Sequence, residues 1–426
     1  MKKLFLIILY IAAFASKIDA QVDFQHFFEN KTMRLDFTQS GDASKAFFSL
    51  EQIKEEPFWG GSHKNLIDKF MYGDYMFYVY DSLSSKLIYS RGFSTIFREW
   101  QDTDEAKRIK RSFYNSIVFP YPKNPIKLVI QSCNKSNMYS TEFEMYINPK
   151  DYNIIKDCSY DFPTEKILDS GNPAEKLDIV ILPEGYTQKE MKKFQKDAQR
   201  YLKYFFEVEP FKSNKDKVNF WIVKAISKES GTDIPGKNIW KNTILNSHFY
   251  TFYTERYLTT QDIRTVRDIA SLVPYDQIYI LVNTEKYGGG GVYNYYNLCA
   301  SDNAYSPQVF THEFGHAFAA LGDEYAYSED DAEKFYDLGV EPNAPNLTTL
   351  ANFEKKWKDL VDKDTPIPTP EDKRYKDKVG AFEGGGYVKK GIYRPVMDCK
   401  MRSNKTDEFC PVCRRVLLEM LLFYSE

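Results

Sequence analysis

Histidine is scarce in this chain: five in 426 residues, at positions 26, 63, 248, 312 and 316. Few nitrogen-ligated metal sites can be assembled from so small a set. Past residue 15 no stretch is apolar enough to cross a bilayer, which excludes stable membrane insertion. No internal repeat and no low-complexity tract is present, so a repeat architecture is excluded. Neither sign of charge prevails. With 57 Lys and Arg against 60 Asp and Glu, the net charge is −3, and there is no basic excess to track a nucleic-acid backbone. The glycine run in YGGGGVYNYYN (287–297) is not followed by the Lys-Ser/Thr of a phosphate loop, which argues against a nucleotide site.

The first residues supply an apolar run of another kind. Met1, Lys2 and Lys3 are followed by LFLIILYIAAFA (4–15) and a small residue at Ala20. This is the pattern of a signal peptide over 1–20, and it predicts a secreted or periplasmic protein. Six cysteines (133, 158, 299, 399, 410 and 413) then read first as disulfides, as expected outside the cytoplasm. Cys133 and Cys158 form one candidate pair. Cys299, Cys399, Cys410 and Cys413 predict two more bridges, with three pairings open. Cys410-Pro-Val-Cys413 also has the spacing of a zinc knuckle or a redox pair, but no second CxxC and no nearby histidine completes four ligands.

The chain changes character near 150–175. Before it lie aromatic and alternating runs: DYMFYVYD (74–81), PIKLVIQS (125–132) and TEFEMYIN (141–148), with Phe143, Met145 and Ile147 on one face. They predict an N-terminal β-sandwich over 21–155. After it, LDIVILPEGY (177–186), VNFWIVKAIS (218–227) and QIYILVN (277–283) are continuous apolar runs suited to strands buried on both faces. Thr187 and Glu190 form a capping box for a helix carrying Met191, Phe194, Ala198, Tyr201, Leu202 and Phe205. Residues 341–378, rich in Pro, Lys and Asp, predict a long surface insertion.

HEFGH (312–316) is the segment that carries chemistry. On a helix, His312 and His316 project from one face about a turn apart, where two imidazoles can bind one Zn2+; Glu313 beside them can act as general base on a metal-activated water. Ser306 as N-cap and Pro307 in the first turn predict a helix over 307–321, with Val309, Phe310, Phe314, Ala317, Phe318 and Leu321 packing it into a core. A third ligand must follow. Asp323 lies about 20° from His312 around a helix axis, but roughly 10 Å beyond His316 along it. Gly322 is placed to end the helix so that Asp323 folds back, with Glu324 the rival. The glycines at 288–291 predict either a mobile loop or a strand edge open to an extended peptide. The acidic run 328–331 reads as solvated surface.

HEFGHAFAALGDEY (312–325) resembles the signature of the M64 family of metallopeptidases, often labelled IgA peptidase M64. LDIVILPEGYT (177–187), EGGGY (383–387), YRPVMDCKMR (393–402) and FCPVC (409–413) are similar to further family features in the expected order. The resemblance implies an α/β zincin-like metallopeptidase domain over 165–426 with one zinc, His312 and His316 as ligands and Glu313 as base, acting on a protein or peptide substrate. It also implies a methionine turn beneath the metal, at Met401 or Met397. Tyr387 and Tyr393 are candidates for stabilising an oxyanion. The expected fold class is therefore α+β and multi-domain. A zincin-fold host-protein or glycan binder with little turnover, and a zinc hydrolase of non-peptide amides, are the alternatives. Oligomeric state and any action on IgA are not readable from the residues.

Overall fold

The computed structural model describes residues 21–156, 159–328 and 332–426. The expected signal peptide, Cys158 and residues 329–331 lie outside the described residues.

The N-terminal region is β-rich. A short helix α1 (Phe24–Phe27) leads into β1 (Phe28–Gly41), which pairs antiparallel with β2 (Ala46–Glu56) and with β5 (Arg111–Pro122). A second antiparallel sheet runs β4 (Leu87–Phe93), β3 (Tyr75–Asp81), β6 (Ile126–Cys133), β7 (Tyr139–Ile147). Residues from both sheets share one core, among them Leu35, Phe37, Phe77, Ile117, Phe119 and Leu128. The alternation in β7 holds, with Phe143, Met145 and Ile147 turned to that core. Helix α2 (Ile96–Gln101) joins the sheets and faces the C-terminal half through Phe97 and Trp100.

The C-terminal half is built on a six-stranded sheet. It contains β8 (Thr164–Leu168), β9 (Leu177–Glu184), β10 (Val218–Val223), β11 (Gln277–Val282), β12 (Gly289–Val292) and β13 (Tyr296–Ala300), in the order β12-β13-β11-β9-β10-β8. The four central strands are parallel, and β8 and β12 are antiparallel edges. The continuous apolar run of β9 is explained by cover on both faces. Leu177, Ile179 and Ile181 meet α3 (Met191–Phe205), while Val180 and Leu182 meet α4 (Ile263–Ala270) and α2. The capping box that starts α3 is formed: Glu190 accepts from the Thr187 amide at 2.9 Å and its hydroxyl at 2.7 Å.

The motif helix α5 spans Ser306–Ala319. Its start differs by one residue from the expected cap, since Ser306 is already helical and its hydroxyl donates to the Ala300 carbonyl at 2.5 Å. Val309, Phe310, Phe314, Ala317, Phe318 and Leu321 are buried as expected. Phe314 packs edge-on against Phe205 and Phe211, and Phe310 stacks on Tyr279. Each such ring contributes roughly 1.5–3 kcal/mol by leaving water, so α5 is anchored by its apolar faces and its polar face is left for other work.

Beyond α5 come β14 (Ala326–Ser328), β15 (Phe382–Gly385) and β16 (Tyr387–Arg394), which form a small sheet, and the closing helix α6 (Pro411–Ser425). The segment 341–378 is not merely a surface insertion. Phe353 and Trp357 enter the main core, and the Trp357 indole donates to the Gly380 carbonyl at 2.7 Å. Among the described residues no helix is long and apolar enough to cross a membrane.

Candidate metal centre

Three side chains converge at the C-terminal end of α5. The Nε2 atoms of His312 and His316 are 3.0 Å apart. Asp323 Oδ1 lies 3.2 Å from the first and 3.3 Å from the second. The obstacle of distance along the axis is removed because α5 stops at Ala319. Ala320 takes a left-handed conformation with φ of 51° and reverses the chain. The turn therefore falls two residues before Gly322, on a residue with a side chain.

The imidazoles are held in one tautomer. His312 Nδ1 faces the Lys400 carbonyl at 3.0 Å and His316 Nδ1 faces the Leu321 carbonyl at 2.5 Å. A carbonyl only accepts, so each Nδ1 carries a hydrogen and, in the neutral ring, each Nε2 presents a bare lone pair. Two nitrogen lone pairs and a buried carboxylate oxygen thus meet within 3.3 Å, with no hydrogen between them in the neutral state. Asp323 Oδ1 has no hydrogen-bond donor. The short ion-pair distances to it acquire a proton only if an imidazole is charged. Such a set can hold a cation.

The electrostatics follow the same geometry. Burial works against charge on His316, but the Asp323 carboxylate outweighs it and lifts the imidazole to about 9. Burial would raise Asp323, but the two imidazoles hold it well below the ordinary carboxylate range. Burial also raises Glu313 above its usual value, with His312 and His316 pulling the other way.

Glu313 is half-buried, and its carboxylate lies within 4.8 Å of both imidazoles. Behind it runs β12. The glycine segment is neither a mobile loop nor a phosphate cradle but an edge strand pressed against α5. A Cβ on Gly291 would overlap the Glu313 carbonyl oxygen, and one on Gly289 would sit 2.8 Å from Glu313 Oε1. The glycines let the strand and helix backbones touch.

Glu324 does not join the triad. Its side chain points to the opposite side, where Oε1 accepts from Asn346 at 2.9 Å and from the Cys413 thiol at 3.3 Å. Met401 is buried with its sulfur against Gly315, and its carbonyl accepts from the Glu324 amide at 2.8 Å. Met397 lies half-buried earlier in that segment. Tyr387 donates to Asp323 Oδ2 at 2.5 Å, while Tyr393 sits opposite Glu383 in the β15–β16 ladder. Sequence reasoning gave Tyr387 a different task and missed Glu99. That residue, from α2, hydrogen-bonds Tyr257, and burial pushes its carboxyl up to about 7.

The two disulfides expected among the last four cysteines are corrected, while the partner expected for Cys133, Cys158, lies outside the described residues. Cys299, Cys399, Cys410 and Cys413 are all free thiols, as is Cys133. Cys299 sits on β13 beneath Tyr279 and Tyr201, while the other three gather elsewhere around Glu324. A cavity of about 590 Å³, lined by Tyr72, Glu341 and Arg415 among others, contains none of the triad; donor chemistry rather than cavity size marks the site.

Residues 166–375 and 371–421 match the family model described as IgA Peptidase M64, and residues 23–144 match the one described as Peptidase M64 N-terminus. No curated protein is similar enough to the chain to count as a match.

Proposed function

Because the chain belongs to the M64 peptidase family, we propose that it is an exported zinc metallopeptidase hydrolysing peptide bonds of extracellular proteins. The observation that carries this reading is the convergence of two imidazole lone pairs and Asp323 Oδ1 within 3.3 Å. The donor set of two nitrogens and one carboxylate oxygen suits zinc with a position left open for water. Asp323, not Glu313, is the third ligand, because it approaches both nitrogens and its other oxygen is already tied to Tyr387. We read residues 165–426 as a zincin-like catalytic domain and 21–155 as a β-sandwich.

A zinc ion bound there supplies Lewis acidity, acidifying water and polarising a substrate carbonyl. Glu313 takes the proton released by the attacking water and passes it to the leaving amine. The Lys400 and Leu321 carbonyls fix the two rings so that neither has to reorient.

Removal of metal tests the reading. Dialysis against a chelator is expected to abolish cleavage of a diverse peptide library, and stoichiometric zinc to restore it; cleavage that survives complete metal removal would rule the reading out. Tyr387→Phe removes the hydroxyl that orients Asp323. It is expected to weaken zinc binding by roughly 10–100-fold, as loss of an outer partner does, measured by competition with a chromogenic chelator. Unchanged affinity would mean that Tyr387 does not position the ligand.

A further inference from the structure

We propose that Glu324, Cys399, Cys410 and Cys413 form a second, structural metal site of zinc type, separate from the triad and buried beneath it. The four ligand atoms lie within 4.8 Å of one another. All four residues are buried, none more than 6% exposed. Cys399 Sγ and Cys413 Sγ are 3.9 Å apart, and Cys413 Sγ is 3.3 Å from Glu324 Oε1. Zinc–sulfur bonds of about 2.3 Å at tetrahedral angles place two sulfurs about 3.8 Å apart, so the Cys399–Cys413 pair already has the spacing of two ligands of one ion.

Three further features point to a cation. Glu324 is fully buried, yet its Oε2 has no hydrogen-bond partner. A carboxylate oxygen in that state is costly unless something positive meets it. Backbone amides are aimed at sulfur: Cys410 N–H donates to Cys399 Sγ at 3.3 Å and Cys413 N–H to Cys410 Sγ at 3.5 Å. Cys410 is also the N-cap of α6, whose positive end favours thiolate. Three thiolates and one carboxylate carry the same total charge as the four thiolates of a Cys₄ zinc site.

A disulfide is the competing account. It would consume two of three cysteines and leave the third, and the orphaned oxygen, unexplained. A four-coordinate ion uses all of them. CxxC alone left the ligand count short because its partners come from distant segments, at 324 and 399.

The position gives the site a task. Glu324 follows Asp323, and Cys399 precedes Lys400, whose carbonyl orients His312. An ion here would pin both segments to α6 and so hold the triad in register.

Cobalt substitution tests this. The triad contains no sulfur, so an intense thiolate-to-cobalt charge-transfer band that is lost in Cys413→Ser and kept in Cys299→Ser comes from the thiol cluster. The cobalt-loaded full-length protein is expected to show that band. Elemental analysis of the zinc protein is expected to find two ions per chain, falling to one in His316→Ala and to one in Cys413→Ser. Absence of the band in cobalt-loaded wild type would overturn the proposal, as would a bridge between any two of these cysteines in unreduced, denatured protein. Loss of the His316-dependent ion with the band intact would leave this site standing whatever becomes of the triad.

Discussion

Replacing Glu313 with glutamine is expected to lower peptide turnover by about 10²–10⁴-fold, the range over which a positioned acid–base group acts. Metal content should not change. The substitution keeps the length of the side chain and a good helix former on α5. The amide fits beside Gly289 as the carboxylate does, where a bulkier neighbour would collide. What it removes is the ability to accept a proton. The loss belongs in kcat with KM nearly unchanged, because the interaction lost is made in the transition state. Steady-state kinetics on one cleaved peptide, with zinc analysis of the same preparations, separates the outcomes. Turnover at the wild-type rate would remove Glu313 from the mechanism. A matching loss of zinc would make it a ligand instead.

Arg34→Met is expected to cost about 3–5 kcal/mol of stability, as breaking a buried ion pair from one side does. Arg34 is completely buried on β1, and its guanidinium reaches Asp36 at 2.9 Å, Glu56 at 3.0 Å and Asp268 at 2.8 Å. Lys54 shares Asp268 at 2.7 Å. Burial raises Glu56 above the ordinary glutamate value, with Arg34 the main counterweight. Methionine fills much of the volume but leaves those carboxylates facing one another. Asp268 belongs to α4, so the cluster fastens the β-rich region to the peptidase half. Urea unfolding is the measurement. A change below about 1 kcal/mol, the worth of an exposed pair, would show that the cluster does not hold the junction. Partial recovery in Arg34→Met/Glu56→Gln, which leaves the Lys54–Asp268 pair intact, would confirm that the penalty is an unpaired charge.

The legible parts of the chain were those governed by local rules. The capping box, the apolar stripe of α3 and the doubly buried strands all rest on periodicity within a few residues. His312, Glu313 and His316 were readable for the same reason, since helical geometry fixes their relation. The turn after them was not. Gly322 looked like the breaker, yet Ala320 takes the left-handed conformation, with its amide bonded to the His316 carbonyl and that of Leu321 to the Gly315 carbonyl. Asp323 was reachable from sequence only as a direction around the axis. The task of Tyr387, the grouping of Glu324 with three cysteines and the Arg34–Asp268 pair all depend on contacts between distant segments, for which a single sequence gives no signal. For the glycines of β12 the sequence left a loop and a strand edge both open, because their role in the close approach of α5 is not revealed by composition alone.

The triad occupies only twelve consecutive residues, 312–323. Its contact order is low, and gathering its three groups closes a short loop. The brace on His312 is different: the Lys400 carbonyl is 88 residues away. Closing a loop of that length costs about 2 kcal/mol more than closing the short one. Bringing the two imidazoles and Asp323 together needs only the short loop, but orienting the first ring also needs Lys400 in place. The meeting of the three groups is thus a local matter, whereas the alignment of the first ring depends on the C-terminal segment.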